Sequence, residues 1–482
     1  MNKTRMLCSS LRLLSVYVAF VFTVTWANEG PYKCPDVRLI ERCICVEKSQ
    51  GLDVSCEGAR TSQLHKSLQN IQRTNQPVYY LKLKNNTLAD IPSFLLEGIN
   101  VRHLYSHYGD TTRISDDAFS TLVESLETLD LSQNTLQRVP SSALENLASL
   151  VFLNLNYNKI STIHAKAFQG LTSLERLSLF GNRIAHIDNL AFSGIGHNII
   201  YLNLGGNMLN SIPTESLKKV PALKKLILTE NTIATITPNE FRDMGENIDT
   251  VNLAGNHIQE LPQRAFAHLS ALSSMDLERN QIEYIHPEAF QGIEDTLAWL
   301  KLGHNRLRTT PVEALERLKT LHELDLRNNN ISRIEKNAFY PYGVNLKYIN
   351  FQNNKIVEIE TGALDVLNNT LRWLYLSSNL FTTLDESTFE NVIDIIEILD
   401  IQDNPFHCDC DIVWFREWMQ GVHKDVVSRP RKTQCHTPEE LRDVPLHDLS
   451  SSMLQCHTSS AVLTFYPVNH VILFICLMKW IN

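Results

Sequence analysis

The chain has 482 residues, of which 43% are hydrophobic and 20% charged, and its formal net charge is −9. This composition is that of a globular protein, and the length allows about three domains. Because a protein that binds DNA or RNA needs a basic face, an acidic charge spread along the chain argues against a nucleic-acid partner.

The N-terminus has the parts of a secretory signal peptide. Lys3 and Arg5 give it a positive start, and the apolar run over residues 13–24 is too short to span a bilayer comfortably. Small residues then lead up to a cleavage point after Ala27. We therefore predict a signal peptide over residues 1–27 and a mature protein that folds in an oxidising compartment, where cysteines pair.

The cysteines lie at the two ends of the chain. Of the ten, Cys8 leaves with the signal peptide and Cys476 lies in the C-terminal tail. The other eight form two groups of four: Cys34, Cys43, Cys45 and Cys56, then Cys408, Cys410, Cys435 and Cys456. This distribution predicts two small disulfide-pinned caps, over residues 28–77 and 407–457, around a middle that holds no cysteine.

The middle of the chain repeats one pattern. The segments that start at residues 150, 174 and 321 each read L-x-x-L-x-L-x-x-N-x-I-x-x-I, followed by a stretch that ends in Phe. The same frame recurs about 14 times over residues 78–406, at spacings of 23 to 25 residues. This is the leucine-rich repeat. It predicts an α/β-type repeat solenoid with a parallel sheet, since no unit can bury its apolar face alone.

Several positions of the repeat have a physical explanation. The fourth and sixth residues, such as Leu177 and Leu179, alternate with polar neighbours and are predicted to point into the core. The ninth residue is Asn in every unit but one. Its amide can satisfy backbone groups that are left unpaired where the chain turns off the strand, so we predict a ladder of structural asparagines. The nineteenth residue is usually Phe, and we expect it to fill the space behind the strands.

The second unit, VRHLYSHYGDTTRISDDAF from residue 101, departs from this pattern. Gly109 replaces the ladder Asn, and Ser106 replaces an inward Leu. We expect this unit to be locally weaker or distorted. Two interpretations of it stay open, a degenerate repeat near the cap and an irregular patch used for binding.

The stretch NPFHCDCDIVWFREW over residues 404–418 contains five consecutive side chains that could hold a metal. A zinc site needs four convergent ligands, usually with a C-x2–4-C spacing, whereas this pair is C-x-C and its partners are distant. In an oxidising compartment we expect a disulfide cap instead. The apolar segment that follows, with Trp414, Phe415 and Trp418, is predicted to form a short helix across the open end of the core.

The C-terminal tail over residues 458–482 is hydrophobic. Its apolar run from Val471 to Met478 has eight residues, far fewer than the ~20 that a transmembrane helix needs. A lipid-anchor signal needs small residues, a spacer and a modest hydrophobic end, and Ser459 and Ser460 are candidates for the attachment point. A glycolipid anchor, a short membrane segment and a secreted form all stay open.

Together, these features resemble extracellular leucine-rich repeat proteins with cysteine-rich N- and C-terminal caps, a family that includes Slit, connectin, chaoptin, artichoke and the ectodomains of Toll receptors. The resemblance covers residues 34–456. It implies a curved horseshoe with the parallel sheet on the concave face and a disulfide cap at each end. It also implies the bridges Cys34–Cys45, Cys43–Cys56, Cys408–Cys435 and Cys410–Cys456, and a role in adhesion, guidance, matrix or ligand recognition.

The third, fifth and seventh residues of each unit point away from the core onto the concave sheet, where exposed aromatic residues are candidates for a binding surface. Two groupings occur. The first contains Tyr80, His103, Tyr105, His107, Phe152, Phe180 and Tyr201; the second contains Trp299, Tyr348, Trp373 and Tyr375. Acidic residues on the same face either bind cations or a basic ligand, or are simply tolerated on a solvated surface; they are Asp130, Asp276, Asp325 and Asp400.

We therefore predict a cell-surface or extracellular protein that recognises a protein ligand, with a soluble secreted carrier, inhibitor or matrix protein as the alternative. No metal-protease helix motif, nucleophile elbow or phosphate-binding glycine loop occurs in the sequence, so we expect neither an enzyme nor a cofactor. Asn85, Asn330 and Asn368 each begin a glycan acceptor sequence. A glycan on Asn85 would shield the concave edge near Tyr80.

Overall fold

The computed structural model describes residues 31–456, apart from residues 196, 239, 341, 422–424 and 455. The predicted signal peptide and the predicted hydrophobic tail, including Ser459 and Ser460, lie outside the described residues. Within the described ranges, no helix combines the length and the apolar character that crossing a bilayer requires.

One sheet of 16 strands runs along the solenoid. Its first two strands are antiparallel, and the third joins them in parallel. In chain order the strands are Cys43–Lys48, Gly51–Glu57, Val78–Lys84, Val101–His107, Thr128–Asp130, Phe152–Asn154, Arg176–Ser178, Tyr201–Asn203, Lys225–Ile227, Thr250–Asn252, Ser274–Asp276, Trp299–Lys301, Glu323–Asp325, Tyr348–Asn350, Trp373–Tyr375 and Ile398–Asp400. The predicted leucine-rich repeat solenoid with its concave parallel sheet is confirmed.

The rest of the described structure lies on the convex side of the repeats or in the two caps. The α-helices are Thr61–Gln72, Ser141–Leu144, Thr214–Leu217, Val312–Leu315, Glu386–Phe389 and Val413–Gln420, and the 3-10 helices are Val37–Leu39, Ser93–Leu95, Tyr342–Asn345, Asp365–Leu367, Cys410–Ile412, Pro430–Lys432, Glu439–Leu441 and Leu446–Asp448. Five two-stranded pairs complete it: Asp90–Ile91 with Arg113–Ile114, Thr162–Ile163 with His186–Ile187, Glu260–Leu261 with Tyr284–Ile285, Arg333–Ile334 with Glu358–Ile359, and Phe406–His407 with Cys435–Thr437.

The core is one continuous cluster of buried residues from Ile40 to Leu454. The inward side chains predicted from the strand pattern, such as Leu177, are fully buried. Behind the strands the phenylalanines of successive units stack, with ring centroids 5.9 Å apart for Phe168 and Phe192. Each unit therefore completes the core of the next, and only the two ends of the stack need covering.

The ladder asparagines are buried and fully hydrogen-bonded. Asn182 Nδ2 donates to the carbonyls of Leu155 and Leu179, both at 2.9 Å, and its Oδ1 accepts the N–H of Ile160 at 3.1 Å. Each amide thus joins its own turn to the turn of the preceding unit. The asparagines that bond in this way are Asn134, Asn158, Asn182, Asn207, Asn231, Asn256, Asn280, Asn305, Asn329, Asn354, Asn379 and Asn404. Asn86 bonds to the N-terminal cap, where it donates to the carbonyl of Cys56 and accepts the N–H of Ala59.

In the second unit, which has no ladder Asn, the residue after Gly109 makes one of the missing hydrogen bonds. Asp110 Oδ1 accepts the N–H of Leu88 at 2.8 Å, the bond that a ladder Asn makes in other units. A side chain at Gly109 would not fit, because a Cβ there would lie 2.8 Å from Asn134 Oδ1. The strand Val101–His107 is continuous and pairs with Val78–Lys84, so we find no distortion of the sheet at this unit.

The N-terminal cap is a hairpin of the strands Cys43–Lys48 and Gly51–Glu57, and the structure contains the bridges Cys34–Cys45 and Cys43–Cys56. The second strand of the hairpin starts the parallel sheet by pairing with Val78–Lys84. The helix Thr61–Gln72, which the sequence analysis did not identify, then packs Leu64, Leu68 and Ile71 onto the end of the core.

The C-terminal cap covers the opposite end. The structure contains the bridges Cys408–Cys435 and Cys410–Cys456, so all four cysteines are used in disulfides. The helix Val413–Gln420 lies across the core with Phe415 buried, and Trp414 Nε1 donates to the carbonyl of Leu384 at 2.9 Å. The last strand of the sheet is also covered, since the Leu399 N–H donates to the carbonyl of Val426 at 3.0 Å.

His407 and Asp409, two of the five consecutive side chains that could hold a metal, make local contacts. A hydrogen bond of 2.8 Å joins His407 Nδ1 to Thr437 Oγ1, and the carboxylate of Asp409 accepts the N–H of Asp411 at the start of a 3-10 helix. Over the described residues, no three or more His, Cys, Asp or Glu side chains come together as a metal site.

Replacing Asn182 by Ala should lower the free energy of unfolding by ~1–3 kcal/mol, because three buried backbone groups lose their partner. Urea unfolding or thermal melting followed by circular dichroism measures the change. Asn189→Ala is the matched control, since Asn189 belongs to the same repeat and is exposed. If both variants unfolded like the unchanged protein, the ladder would not have this structural role.

Candidate functional site

The concave face is formed by the outward residues of the strands. In the unit that starts at Leu174, Leu177 and Leu179 are buried, whereas Arg176 is exposed and Phe180 half-buried. Because the strands pair in parallel register, equivalent positions of successive units stand side by side. All the predicted partner-binding residues therefore belong to one continuous face, and the distances between their side chains decide which of them act together.

An aromatic patch occupies the N-terminal end of this face. We define the N-terminal aromatic patch by Tyr79, Tyr80, His103, Tyr105, His107 and Tyr108. Tyr80 and His103 stand opposite each other on adjacent strands, and their rings stack with centroids 5.0 Å apart. The contacts continue from Tyr80 to Tyr105 at 6.2 Å, from Tyr105 to His107 at 6.4 Å, and from His107 to Tyr108 at 5.0 Å. Tyr79 adds contacts to Tyr80 at 4.7 Å and to His103 at 4.9 Å. Six rings thus form one connected surface, five of them on two adjacent strands and Tyr108 directly after the second strand.

Cations lie at the edge of this patch. Lys82 Nζ is 5.0 Å from the centroid of the Tyr80 ring and 3.0 Å from Asp53 Oδ1, and Lys84 Nζ is 5.8 Å from the centroid of the Tyr108 ring. Burial lowers the pKa of His103 and raises the pKa of Tyr105. Both shifts favour the neutral forms of the His103 and Tyr105 rings, and Lys82 and Lys84 place positive charge at the edge of the patch.

The structure separates the first predicted grouping into parts. The strand Thr128–Asp130, which carries no aromatic residue, lies between the patch and Phe152. Phe152 and Tyr201 are joined instead through Arg176, whose guanidinium carbon is 5.4 Å and 5.2 Å from the two ring centroids. Phe180 packs edge-on against Tyr157, with centroids 5.4 Å apart.

The second predicted grouping is brought together only in part. Tyr348 and Tyr375 are in contact, with ring centroids 5.2 Å apart, and Trp373 stands opposite Tyr348 in the sheet. Trp299 is 45% exposed but is separated from Tyr348 by the strand that carries Glu323. Burial raises the pKa of Tyr348 to about 12, so its hydroxyl stays protonated and can donate a hydrogen bond.

The acidic residues of the concave face are mostly structural. At the fifth position of a unit, the side-chain oxygen of Asp or Asn accepts the N–H of the residue two positions later, an Asx turn that ends the strand. The residues that do so are Asp130, Asn154, Asn203, Asn252, Asp276, Asp325 and Asn350, at 2.8 to 3.0 Å. Asp400 instead accepts the hydroxyl of Ser377 at 2.9 Å. Both Asp and Asn occur at the fifth position because an amide oxygen accepts this hydrogen bond in the same way as a carboxylate oxygen.

Asp325 is the most perturbed of these groups. It is 2% exposed, and Arg327 Nη1 lies 2.7 Å from its Oδ2, while the same guanidinium also contacts Glu278. Burial raises the pKa of Asp325 to about 6 in spite of the neighbouring cation. Desolvation of this carboxylate therefore opposes folding at neutral pH.

The three predicted glycan acceptors, Asn85, Asn330 and Asn368, are all exposed. The Asn85 N–H donates to the carbonyl of His107 at 3.2 Å, so this residue adjoins the N-terminal aromatic patch. Glycosylation itself stays a prediction, and at Asn85 it would narrow access to the patch from one side.

Three residues of this surface, Tyr79, Tyr108 and Arg176, are not among the predicted binding residues. Tyr79 is the second residue of its unit and Tyr108 the eighth, so the outward pattern of third, fifth and seventh residues did not select them. Arg176 occupies a third position, but a search for aromatic residues passes over an arginine. The signal that could have found it is the identity of its neighbours, since Phe152 and Tyr201 hold the third positions of the units on either side.

A comparison with protein families decides the assignment. The model described as "Leucine rich repeat" matches residues 99–160, 124–184, 181–233, 197–247, 246–307, 295–343 and 319–370, which together span more than half of the chain. The chain belongs to the leucine-rich repeat family. The repeats that the sequence pattern predicts outside residues 99–370 are present in the structure as strands of the same sheet.

Individual curated proteins match a small part of the chain, whereas some solved structures superpose on most of it. Human protein phosphatase 1 regulatory subunit 29 is 31% identical over 102 residues, which are 20% of this chain and only 12% of that protein. The structure of the Toll–Spatzle complex of Drosophila superposes with a TM-score of 0.62 at 20% identity, over 83% of this chain and 56% of that one. The complex of TLR13 with ssRNA13 superposes with a TM-score of 0.57 at 22% identity, over 82% and 63%. At these identities the structural likeness concerns the fold.

Asp325→Asn should change the pH dependence of stability. The folded pKa lies above the usual value of 3.8, so the unchanged protein loses stability relative to the variant as pH rises from about 4 to about 6. Over this pH range, the free energy of unfolding of the unchanged protein should fall relative to that of the variant by up to ~3 kcal/mol, at about 1.4 kcal/mol per pKa unit. Urea unfolding at pH 4 and pH 7 measures it. Asp117→Asn, at an exposed position, should show no such difference; equal pH profiles for the Asp325 variant and the unchanged protein would contradict the assignment.

Proposed function

We propose that this protein is an extracellular recognition protein that binds a protein ligand through the N-terminal aromatic patch. The observation that carries the proposal is the connected set of six rings on and directly after two adjacent strands, four of them contributed by the second unit. Large aromatic side chains dominate the binding energy of protein interfaces, and here they are held in place by one another before any ligand arrives. Of the two interpretations of the second unit, this favours the binding patch.

A protein is the ligand class that fits best. Toll, which shares the fold, is in complex with Spatzle, whereas TLR13, which also shares it, is in complex with single-stranded RNA. A net charge of −9 disfavours a nucleic acid here, because RNA binding needs many cations that neutralise phosphates. The rim of the patch offers few, and one of them, Lys82, is already paired with Asp53.

The place of action follows from the disulfides and the two ends of the chain. Four bridges in the caps suit an oxidising extracellular compartment. We propose that the predicted signal peptide directs secretion and that the tail over residues 458–482 attaches the protein to the outer face of the plasma membrane, where it acts in adhesion or as a receptor. A soluble carrier, inhibitor or matrix protein is the alternative role.

The variant Tyr80→Ala/Tyr105→Ala tests the patch. Binding of the purified protein to cells, or to a ligand found by screening with it, should weaken at least about tenfold, since interface aromatics commonly contribute ~2 kcal/mol or more. The control is Tyr284→Ala/Tyr340→Ala, because these tyrosines are 54% and 65% exposed and lie on the convex side. Unchanged binding by the patch variant, with its thermal stability intact, would rule the patch out as the ligand site.

The Tyr348–Tyr375 contact defines a competing site. The variant Trp373→Ala/Tyr375→Ala should leave binding within about twofold of the unchanged protein if the N-terminal patch is the main site. A large loss in this variant alone would move the proposed site to the C-terminal part of the concave face.

Release from the cell surface tests the attachment. A phospholipase that cuts glycolipid anchors should free the protein from cells that express the full chain, and replacing Ser459 and Ser460 together should send it into the medium. Recovery of full-length protein in the medium without any such treatment would favour the soluble carrier, inhibitor or matrix role.

A further inference from the structure

A second set of side chains crosses the concave sheet in the middle of the N-terminal half. Phe152, Arg176, Tyr201 and Lys225 hold the third positions of four consecutive units and stand opposite one another on adjacent strands. We call this set the Arg176 row. Aromatic and cationic side chains alternate along it, so each cation has a ring beside it.

Arg176 is held in place without using its hydrogen-bond donors. Its guanidinium carbon lies 5.4 Å from the Phe152 ring centroid and 5.2 Å from that of Tyr201, so a ring flanks it on each side. Such contacts fix the side chain while leaving the N–H groups at the edge of its plane. Arg176 is exposed, and its guanidinium makes no hydrogen bond or ion pair with the described residues.

Other arginines of the concave sheet are already neutralised. Arg102 pairs with Glu127 at 2.7 Å, and Arg327 pairs with Asp325 at 2.7 Å. The difference at Arg176 is that rings, and not a carboxylate, orient the guanidinium. A group that is positioned in advance and has all its donors free can accept a ligand anion at little cost in side-chain entropy.

The neighbours of Arg176 add two more donors. The Tyr201 hydroxyl accepts a hydrogen bond from Asn203 Nδ2 at 3.3 Å, which leaves its own proton free to be donated outward. Lys225 is exposed and, among the described residues, forms no ion pair. Neighbouring strands lie ~4.8 Å apart, so Arg176 and Lys225 are separated by roughly 10 Å. The row therefore offers two cationic positions with a tyrosine hydroxyl between them.

We propose that the Arg176 row binds an acidic segment of the protein ligand, with a ligand carboxylate seated on the Arg176 guanidinium. A carboxylate matches the guanidinium in a two-point hydrogen bond, and a second carboxylate can reach Lys225. Apolar side chains of the same segment pack on the rings of Phe152 and Tyr201. This inference rests on the proposed function, since it assumes that the ligand is a protein, and it adds a charge requirement to that ligand.

A peptide fits this row better than a sulfated polysaccharide does. Affinity for polyanions grows with the number of cations in reach, and this row has two. The fifth positions of the same four units are filled by Asn154, Ser178, Asn203 and Ile227, which are neutral, and Asp130 on the adjoining strand is acidic. Arg176 lies between two rings, and Lys225 lies beyond Tyr201, so the row matches spaced carboxylates with hydrophobic residues between them.

The test uses the purified full chain and two fluorescent five-residue peptides with blocked ends. One alternates glutamate and leucine, and the other has glutamine in place of each glutamate. Fluorescence polarisation should show the glutamate peptide binding at least fivefold more tightly than the glutamine peptide. Arg176→Gln should remove this preference, whereas Arg183→Gln, the same charge change in the same repeat at another exposed position, should keep it. Thermal melting confirms that both variants are folded.

Three results would overturn the proposal. The first is equal binding of the two peptides by the unchanged protein, and the second is a preference that survives in Arg176→Gln. The third is Arg176-dependent binding of a heparin fragment together with no binding of the glutamate peptide, which would assign the row to a sulfated glycan. Failure of the proposed function is a separate result, because it appears as unchanged cell binding in the Tyr80→Ala/Tyr105→Ala variant, whatever the peptides show.

Discussion

The hydrogen bonds of the buried asparagine ladder are the constraint on which the rest of the structure depends. Each amide bonds to the turn of its own unit and to the turn of the unit before it, as Asn182 does with Leu179, Leu155 and Ile160. A backbone group left unpaired in this dry interior would cost about as much as a lost hydrogen bond, so the units are locked in one register. That register sets every third position beside the third positions of its neighbours. Binding surfaces made of one side chain per unit, such as the Arg176 row, exist only because of it.

A second constraint limits where ligand chemistry can be placed. The fifth position of many units is committed to an Asx turn that ends the strand, and Asp or Asn there is half-buried or buried. The side chain at the third position is not needed for this turn, and third positions carry most of the aromatic and cationic side chains of the concave face. Recognition can therefore vary at third positions without disturbing the way each strand ends. Asp325 shows the cost of placing a charged group at this position. The fifth position accepts a neutral amide equally well, but a carboxylate buried there has its pKa raised.

The second unit departs from the ladder where the N-terminal aromatic patch lies. Gly109 removes the ladder side chain, and Asp110 supplies the missing acceptor to Leu88. The strand Val101–His107 keeps its full pairing with Val78–Lys84, which is longer than the pairing between later units. The longer pairing brings His107 into the sheet beside Tyr105 and connects the rings from Tyr79 to Tyr108. The second unit departs from the repeat pattern in sequence, but its backbone pairs regularly in the sheet. It is unusual only in the side chains that it exposes.

The repeat period, the inward leucines and the asparagine ladder were predictable from the sequence because each follows from spacing within one unit. The C-terminal cap helix was predictable because an apolar segment follows the last unit, where the end of the core needs covering. The helix Thr61–Gln72 was not, since the polar residues between Leu64, Leu68 and Ile71 hide a narrow apolar face. Contacts between units were also beyond the sequence. Local spacing identifies outward residues but does not say which rings touch, so Phe152 and Tyr201 were grouped with Tyr80. By itself, the sequence determined the fold and its ladder, because those arise from hydrogen bonds and packing repeated in every unit. Only the tertiary structure decided which surface residues form one site, because side-chain distances across strands depend on the register, the ring orientations and the cations between them.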